Sequence, residues 1–163
     1  MKTLLLMRHA KSSWDDPEID DHERPLNKRG RHDAPNMGNL LQAEDLIPDL
    51  ILVSSARRAQ ETMRLLCEAC GYDGPVETHP ELYASDASAY LHLLQILPET
   101  VTRPLLIGHN PDVEELLRML TGVSRHMPTA ALALIETPKA TWGELVSDHM
   151  GQMGGLWMPR EEK

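Results

Sequence analysis

Short apolar runs in this chain repeatedly end on guanidinium or imidazole side chains. Residues 4–7 (Leu-Leu-Leu-Met) run straight into Arg8-His9; residues 50–53 pass through Ser54-Ser55 to Arg57-Arg58; residues 105–107 lead into Gly108-His109, with Asn110-Pro111 following. Apolar runs this short read as strands buried on both faces. Between them lie segments with helical spacing. Tyr90, Leu91, Leu94 and Leu97 share one stripe and Val113, Leu116, Leu117 and Leu120 another, the pattern of a helix face packed on a sheet. The alternation predicts an α/β fold with a mostly parallel central sheet, one three-layer α/β/α domain over residues 1–163. Strands are expected over 3–8, 50–54, 76–79, 104–108, 131–136 and 144–149, and helices over 30–43, 57–70, 87–97 and 111–120. Residues 11–28 carry neither period and read as a long functional loop. From Gly151 the tail is expected to hold an apolar anchor at 156–158 and then fray.

Ligands of open α/β sheets collect outside the carboxyl ends of the strands. The three strand ends therefore bring Arg8, His9, Arg58 and His109 to one edge, where they form an anion pocket. Arginine forks match the oxygens of a tetrahedral phosphate, and each hydrogen bond to a charged group is worth about 1.5–3 kcal/mol. The helix starts after Arg58 and His109 would add N–H groups and positive dipole ends. His9 has a second capacity. Neighbouring positive charge disfavours the imidazolium, leaving a neutral ring able to attack phosphorus. Phosphoryl transfer then depends on positioned cations, here Arg8, Arg58 and His109, and demands no metal or cofactor.

These residues resemble the histidine phosphatase superfamily, the phosphoglycerate mutase-like fold named for an R-H-G signature. It stands here as Arg8-His9-Ala10, the small Ala10 still letting the backbone pass near a ligand. The family's Ser, R-A and Thr pattern matches Ser54, Arg58-Ala59 and Thr62, pointing to Arg58 rather than Arg57, and its second histidine matches His109 in "IGHNP". "RHAKSSWDD" follows the R-H-G-x-S-x-W-N pattern, which implies that Ser12 touches phosphate and sets Asp15 where Asn is frequent. "RPLNKRGRHDA" resembles the P-L-T/S-x-x-G segment, with Asn27 in the hydroxyl position as a further substrate-binding residue. The short length and "AKSSWDD" look most like the SixA-type phosphohistidine phosphatase branch. The resemblance implies a phosphohistidyl intermediate on His9. It also implies a general acid before the third helix, for which Glu81 in "HPELYASD" is the nearest match and Asp86 the next. A labile N–P bond needs less help from an acid than a phosphoester does.

The remaining features narrow the partners. A formal charge of −9 argues against nucleic acid and anionic membranes. With no run long enough to span a bilayer and no signal-like start, a cytoplasmic location is expected. Cys67 and Cys70, in C-E-A-C, read as helix residues near a Gly71 stop. The other histidines lack metal-site spacing. Asp15, Asp16, Glu18, Asp20 and Asp21 read as a solvated loop face, or as a rim favouring a phosphorylated side chain in cationic surroundings. The expected partner is a phosphate-bearing substrate, in the sharpest form a phosphohistidine-carrying protein. The rival readings are a small-molecule phosphomonoesterase or mutase, and a non-catalytic phosphate-binding module.

Overall fold

The computed structural model describes residues 2–159. Its strands are β1 (Lys2–Arg8), β2 (Leu50–Ser54), β3 (Val76–His79), β4 (Pro104–Gly108), β5 (Leu132–Thr137) and β6 (Gln152–Trp157). Its α-helices are α1 (Lys28–Ala43), α2 (Arg57–Cys70), α3 (Ala87–Gln95) and α4 (Asp112–Thr121). They form one sheet in the order β3-β2-β4-β1-β5-β6. β3, β2, β4 and β1 are mutually parallel, while β5 runs antiparallel to β1 and to β6.

Alternation along β1 divides the core. Leu4 and Leu6 face one side, with Tyr90, Leu94, Val113, Leu116 and Leu117 of α3 and α4. Leu5 and Met7 face the other, with Ala34, Met37 and Leu41 of α1 and Ala59 and Leu66 of α2. Both faces of the central strands are thus covered, which explains why those strands read as unbroken apolar runs.

The expectation fails at the C-terminal end. The strand expected over 144–149 does not form: a 3-10 turn spans Trp142–Glu144, and Trp142 and Leu145 plug the core instead. The sixth strand comes later, at Gln152–Trp157, where the pattern predicts only an apolar anchor at 156–158. It pairs with β5 through a register shift between Leu134 and Ile135. Gly154 and Gly155 remove two side chains from this edge strand and hide its period of two. The fraying expected after Met158 concerns residues that, from 160 on, lie outside those described.

The 11–28 loop is closed at its base by an isolated bridge between Ser12 and Leu26 and by Ser13 N–H donating to the Pro25 carbonyl at 2.8 Å. Just beyond, Gly30 lets α1 lie against the backbone leaving β1. A Cβ there would stand 2.2 Å from the Lys11 carbonyl oxygen. Backbone cannot yield as a flexible side chain can, so Gly30→Ala is expected to cost about 1–3 kcal/mol or more. Urea unfolding of the variant measures the loss.

Candidate active site

Because β1, β4 and β2 are parallel neighbours, with Arg8 opposite Gly108 and Val53 opposite Ile107, their carboxyl ends are level. That register sets the site. His9 N–H continues the ladder to the Gly108 carbonyl at 3.0 Å, and the Arg8 and His9 carbonyls both accept from Ala130 N–H. The backbone carrying the two residues is therefore held on one side by β4 and on the other by the segment leading into β5. Arg58 enters from the first turn of α2. Thr62, one turn later, donates its hydroxyl to the Arg58 carbonyl at 2.7 Å and accepts from Ala10 N–H at 3.0 Å. This hydroxyl couples the first turn of α2 to the residue after His9. Thr62→Val leaves the Ala10 amide unsatisfied in a buried place, an expected loss of about 1–3 kcal/mol in denaturant unfolding.

Each imidazole has a definable tautomer. His9 Nδ1 lies 2.7 Å from the Ala10 carbonyl. A carbonyl only accepts, so Nδ1 carries the proton and Nε2 keeps its lone pair. Arg58 Nε approaches that lone pair at 3.4 Å. His109 Nε2 is 2.7 Å from Ser54 Oγ, which itself accepts from Ala56 N–H. Ser54 Oγ has no other acceptor within hydrogen-bond reach among the described residues, so its hydroxyl hydrogen goes to Nε2, leaving a proton on His109 Nδ1. That Nδ1 and Arg8 Nε are both buried without a hydrogen-bond partner among the described residues. The two imidazole centroids are 4.9 Å apart.

The electrostatics keep both rings neutral. Burial, then the neighbouring His109, Arg58 and Arg8, hold the His9 imidazolium down to about 3. Burial and Arg58, followed by Arg8 and His22 and partly countered by Asp21, bring His109 to about 4. Both folded values lie below the unfolded histidine value of about 6.5, so below that pH the unfolded chain binds protons that the folded chain does not. Stability is full above about pH 6.5 and falls as pH drops towards 4 and 3, by roughly a few kcal/mol per imidazole. The matching NMR expectation is that the His9 and His109 ring signals show no titration between about pH 5 and 8. An inflection near 6.5 in either would contradict it.

The side chains border a cleft of about 250 Å³ lined by Arg8, His9, Ser12, Trp14, Arg24, Arg58 and His109, among others. Of the expected site residues, Arg8, His9, Ser12, Arg58 and His109 thus meet there. Arg57 pairs instead with Glu61 at 3.3 Å. Asn27 and Glu81 do not line this cleft. Asn27 caps α1, its side chain accepting from Gly30 N–H at 2.9 Å. The exposed Glu81 carboxylate lies 3.3 Å from His79 Nδ1, and Asp86 caps α3 by accepting from Ala89 N–H at 3.0 Å.

Sequence reasoning passed over Arg24, which is 7% exposed and lines the cleft. Its Nη1 donates to Ser12 Oγ at 2.7 Å and its Nε to Asp21 at 3.0 Å. The available signal was its position directly before Pro25-Leu26, in the segment already matched to a family motif. Asp21, read as part of a solvated face, is tied into the site. Its carboxylate accepts from Arg58 Nη2 at 3.1 Å and Tyr83 O–H at 2.7 Å, and its carbonyl from Arg58 Nη1 at 2.7 Å. Partial burial works against ionisation, but the Tyr83 hydroxyl, Arg58 and Arg24 outweigh it and hold this carboxyl down to about 2.

The model of the histidine phosphatase superfamily (branch 1) matches residues 4–93. An uncharacterised chloroplastic protein of Arabidopsis thaliana is 34% identical over 154 residues, 88% of this chain and 70% of that protein. A crystal structure from Agrobacterium tumefaciens, provisionally named phosphohistidine phosphatase SixA, superposes with a TM-score of 0.84 at 27% identity, covering 97% of this chain and 98% of that one. The protein histidine phosphatase SixA complexed with tungstate gives a TM-score of 0.80 at 25% identity over 94% of this chain and 95% of that one.

Proposed function

The chain belongs to the histidine phosphatase superfamily, branch 1, and from that premise we propose a metal-independent phosphatase that works through a phosphohistidyl enzyme and takes protein phosphohistidine as substrate. Family membership and the likeness to SixA structures support the phosphatase activity. The intermediate and the substrate rest on the geometry. One observation carries the reading: His9 lines a cleft together with Arg8, Arg58 and His109, and the Ala10 carbonyl fixes its tautomer so that Nε2 keeps its lone pair.

In the first half-reaction Nε2 forms a bond to phosphorus as the substrate's P–N bond breaks, its electron pair leaving with the substrate nitrogen. Arg8, Arg58 and the Nδ1–H of His109 hold the equatorial oxygens, where charge accumulates. In the second, water attacks phosphorus and passes a proton to a phosphoryl oxygen, the P–Nε2 bond breaks with its electron pair returning to Nε2, and inorganic phosphate departs. The carboxylate tied to these cations, Asp21, is ionised down to about pH 2 and has no proton to give at neutral pH. A phosphoester, whose alkoxide must be protonated on leaving, suits such a site poorly. A phosphorylated imidazole already protonated on its other nitrogen leaves as neutral imidazole and needs no donor, which favours the P–N substrate.

The test is to mix the enzyme with a ³²P-labelled phosphodonor, quench in alkali, where phosphohistidine survives, and map the label. Label on His9 is expected. Label on another residue, or none at any time from milliseconds to minutes, would refute the nucleophile.

A further inference from the structure

Trp14 is the most solvent-exposed of the large apolar side chains among the described residues, at 75%, yet it lines the cleft that holds His9. A tryptophan normally buries most of its surface, so an indole left in water at the mouth of a polar site needs a reason. Its position is held by a chain of contacts. The Arg24 guanidinium lies 3.5 Å over the ring, and Arg24 is in turn fixed by Ser12 Oγ, the Ser13 carbonyl and Asp21. One face of the indole is thus covered by a buried cation that borders the phosphate pocket, while the rest of the ring stays open.

We infer that Trp14 is a specificity-determining residue: its open face stacks on a planar ring carried by the substrate, the leaving imidazole of phosphohistidine, while the phosphoryl group sits on the cations beneath. The inference rests on the phosphatase reading above. Rings offset over one another attract through their quadrupoles, and a ring that bears positive charge before it leaves adds a cation–π attraction. Arg24 serves both parts of the substrate, since its guanidinium supports the indole and the residue lines the same cleft as His9. Two segments of one loop, Ser12 to Trp14 and Asp21 to Arg24, thereby set the distance from phosphoryl site to ring site.

The experiment compares two donors with the same kind of bond, a phosphohistidine peptide and phosphoramidate, which has a P–N bond and no ring. The readout is the ratio of kcat/KM for the two. Any effect of Trp14 on the phosphoryl pocket through Arg24 acts on both donors and cancels in that ratio. Trp14→Ala is expected to lower the ratio about three- to tenfold, mainly through the KM of the peptide, and Trp14→Phe to keep it within about twofold of the wild type. An unchanged ratio in Trp14→Ala, or an equal fall for both donors, would overturn the inference while leaving the phosphatase reading intact. A wild-type protein that hydrolyses neither donor overturns both readings together, and so is distinguishable from failure of this one alone.

Discussion

With His9 replaced by alanine, turnover is expected to fall at least about 10³-fold, because the group that bonds to phosphorus is gone and water must attack unaided. The loss belongs in kcat. Arg8, Arg58 and His109 remain to hold the phosphoryl group, so binding of inorganic phosphate, measured by calorimetry, should change only a fewfold. This split separates catalysis from recognition. A module that merely binds phosphate has no use for the Nε2 lone pair, and turnover in the alanine variant at the parental rate would remove His9 from the chemistry. Folding is a poor alternative explanation for the loss, since the backbone at His9 is held by the Gly108 carbonyl and Ala130 N–H rather than by the ring.

Arg58→Ala is expected to lower kcat about 10²- to 10³-fold, the cost of removing one preorganised donor from the transition-state charge. The residue is 7% exposed and its three nitrogens are all engaged, Nε with His9 and the Nη atoms with Asp21. The variant also frees Asp21 from its closest cation on α2, leaving Arg24 and Tyr83 as partners, and places a less compensated carboxylate beside the incoming phosphate. KM should therefore rise as well. Lysine should not rescue, because a single ammonium cannot span the positions of Nε and Nη2 that the planar fork occupies. Steady-state kinetics with phosphoramidate give both constants. A kcat within threefold of the wild type would show that Arg58 serves Asp21 and the loop rather than the reaction.

The central strands were legible because burial on both faces writes the same apolar run whatever the neighbours are. β2, β3, β4 and α2 have the bounds their patterns imply. The strand-end cations were legible for a related reason: a polar residue directly after a fully buried strand emerges at one edge of the sheet. What escaped was set by contacts distant in sequence. β6 is half-exposed and glycine-rich, so its pairing with β5, rather than its composition, makes it a strand. Leu145, in the expected strand over 144–149, instead fills the core together with Trp142 from a turn. In the site, Arg24 and Asp21 lie in a polar loop whose period says nothing, and contacts distant in sequence, the Ser12–Leu26 bridge and the Arg58–Asp21 pair among them, place them at the cleft. Asn27 and Glu81 were matched by local motif, and local capping and pairing account for where their side chains go.

The most direct measurement is a crystal structure of the protein soaked in vanadate, which adopts the five-coordinate geometry of phosphorus in transfer. The account expects vanadium apical to His9 Nε2, with its equatorial oxygens on Arg8, Arg58 and the Nδ1–H of His109. Vanadate bound elsewhere, or bound in the cleft with the His9 ring turned so that Nε2 faces away from the metal, would contradict it.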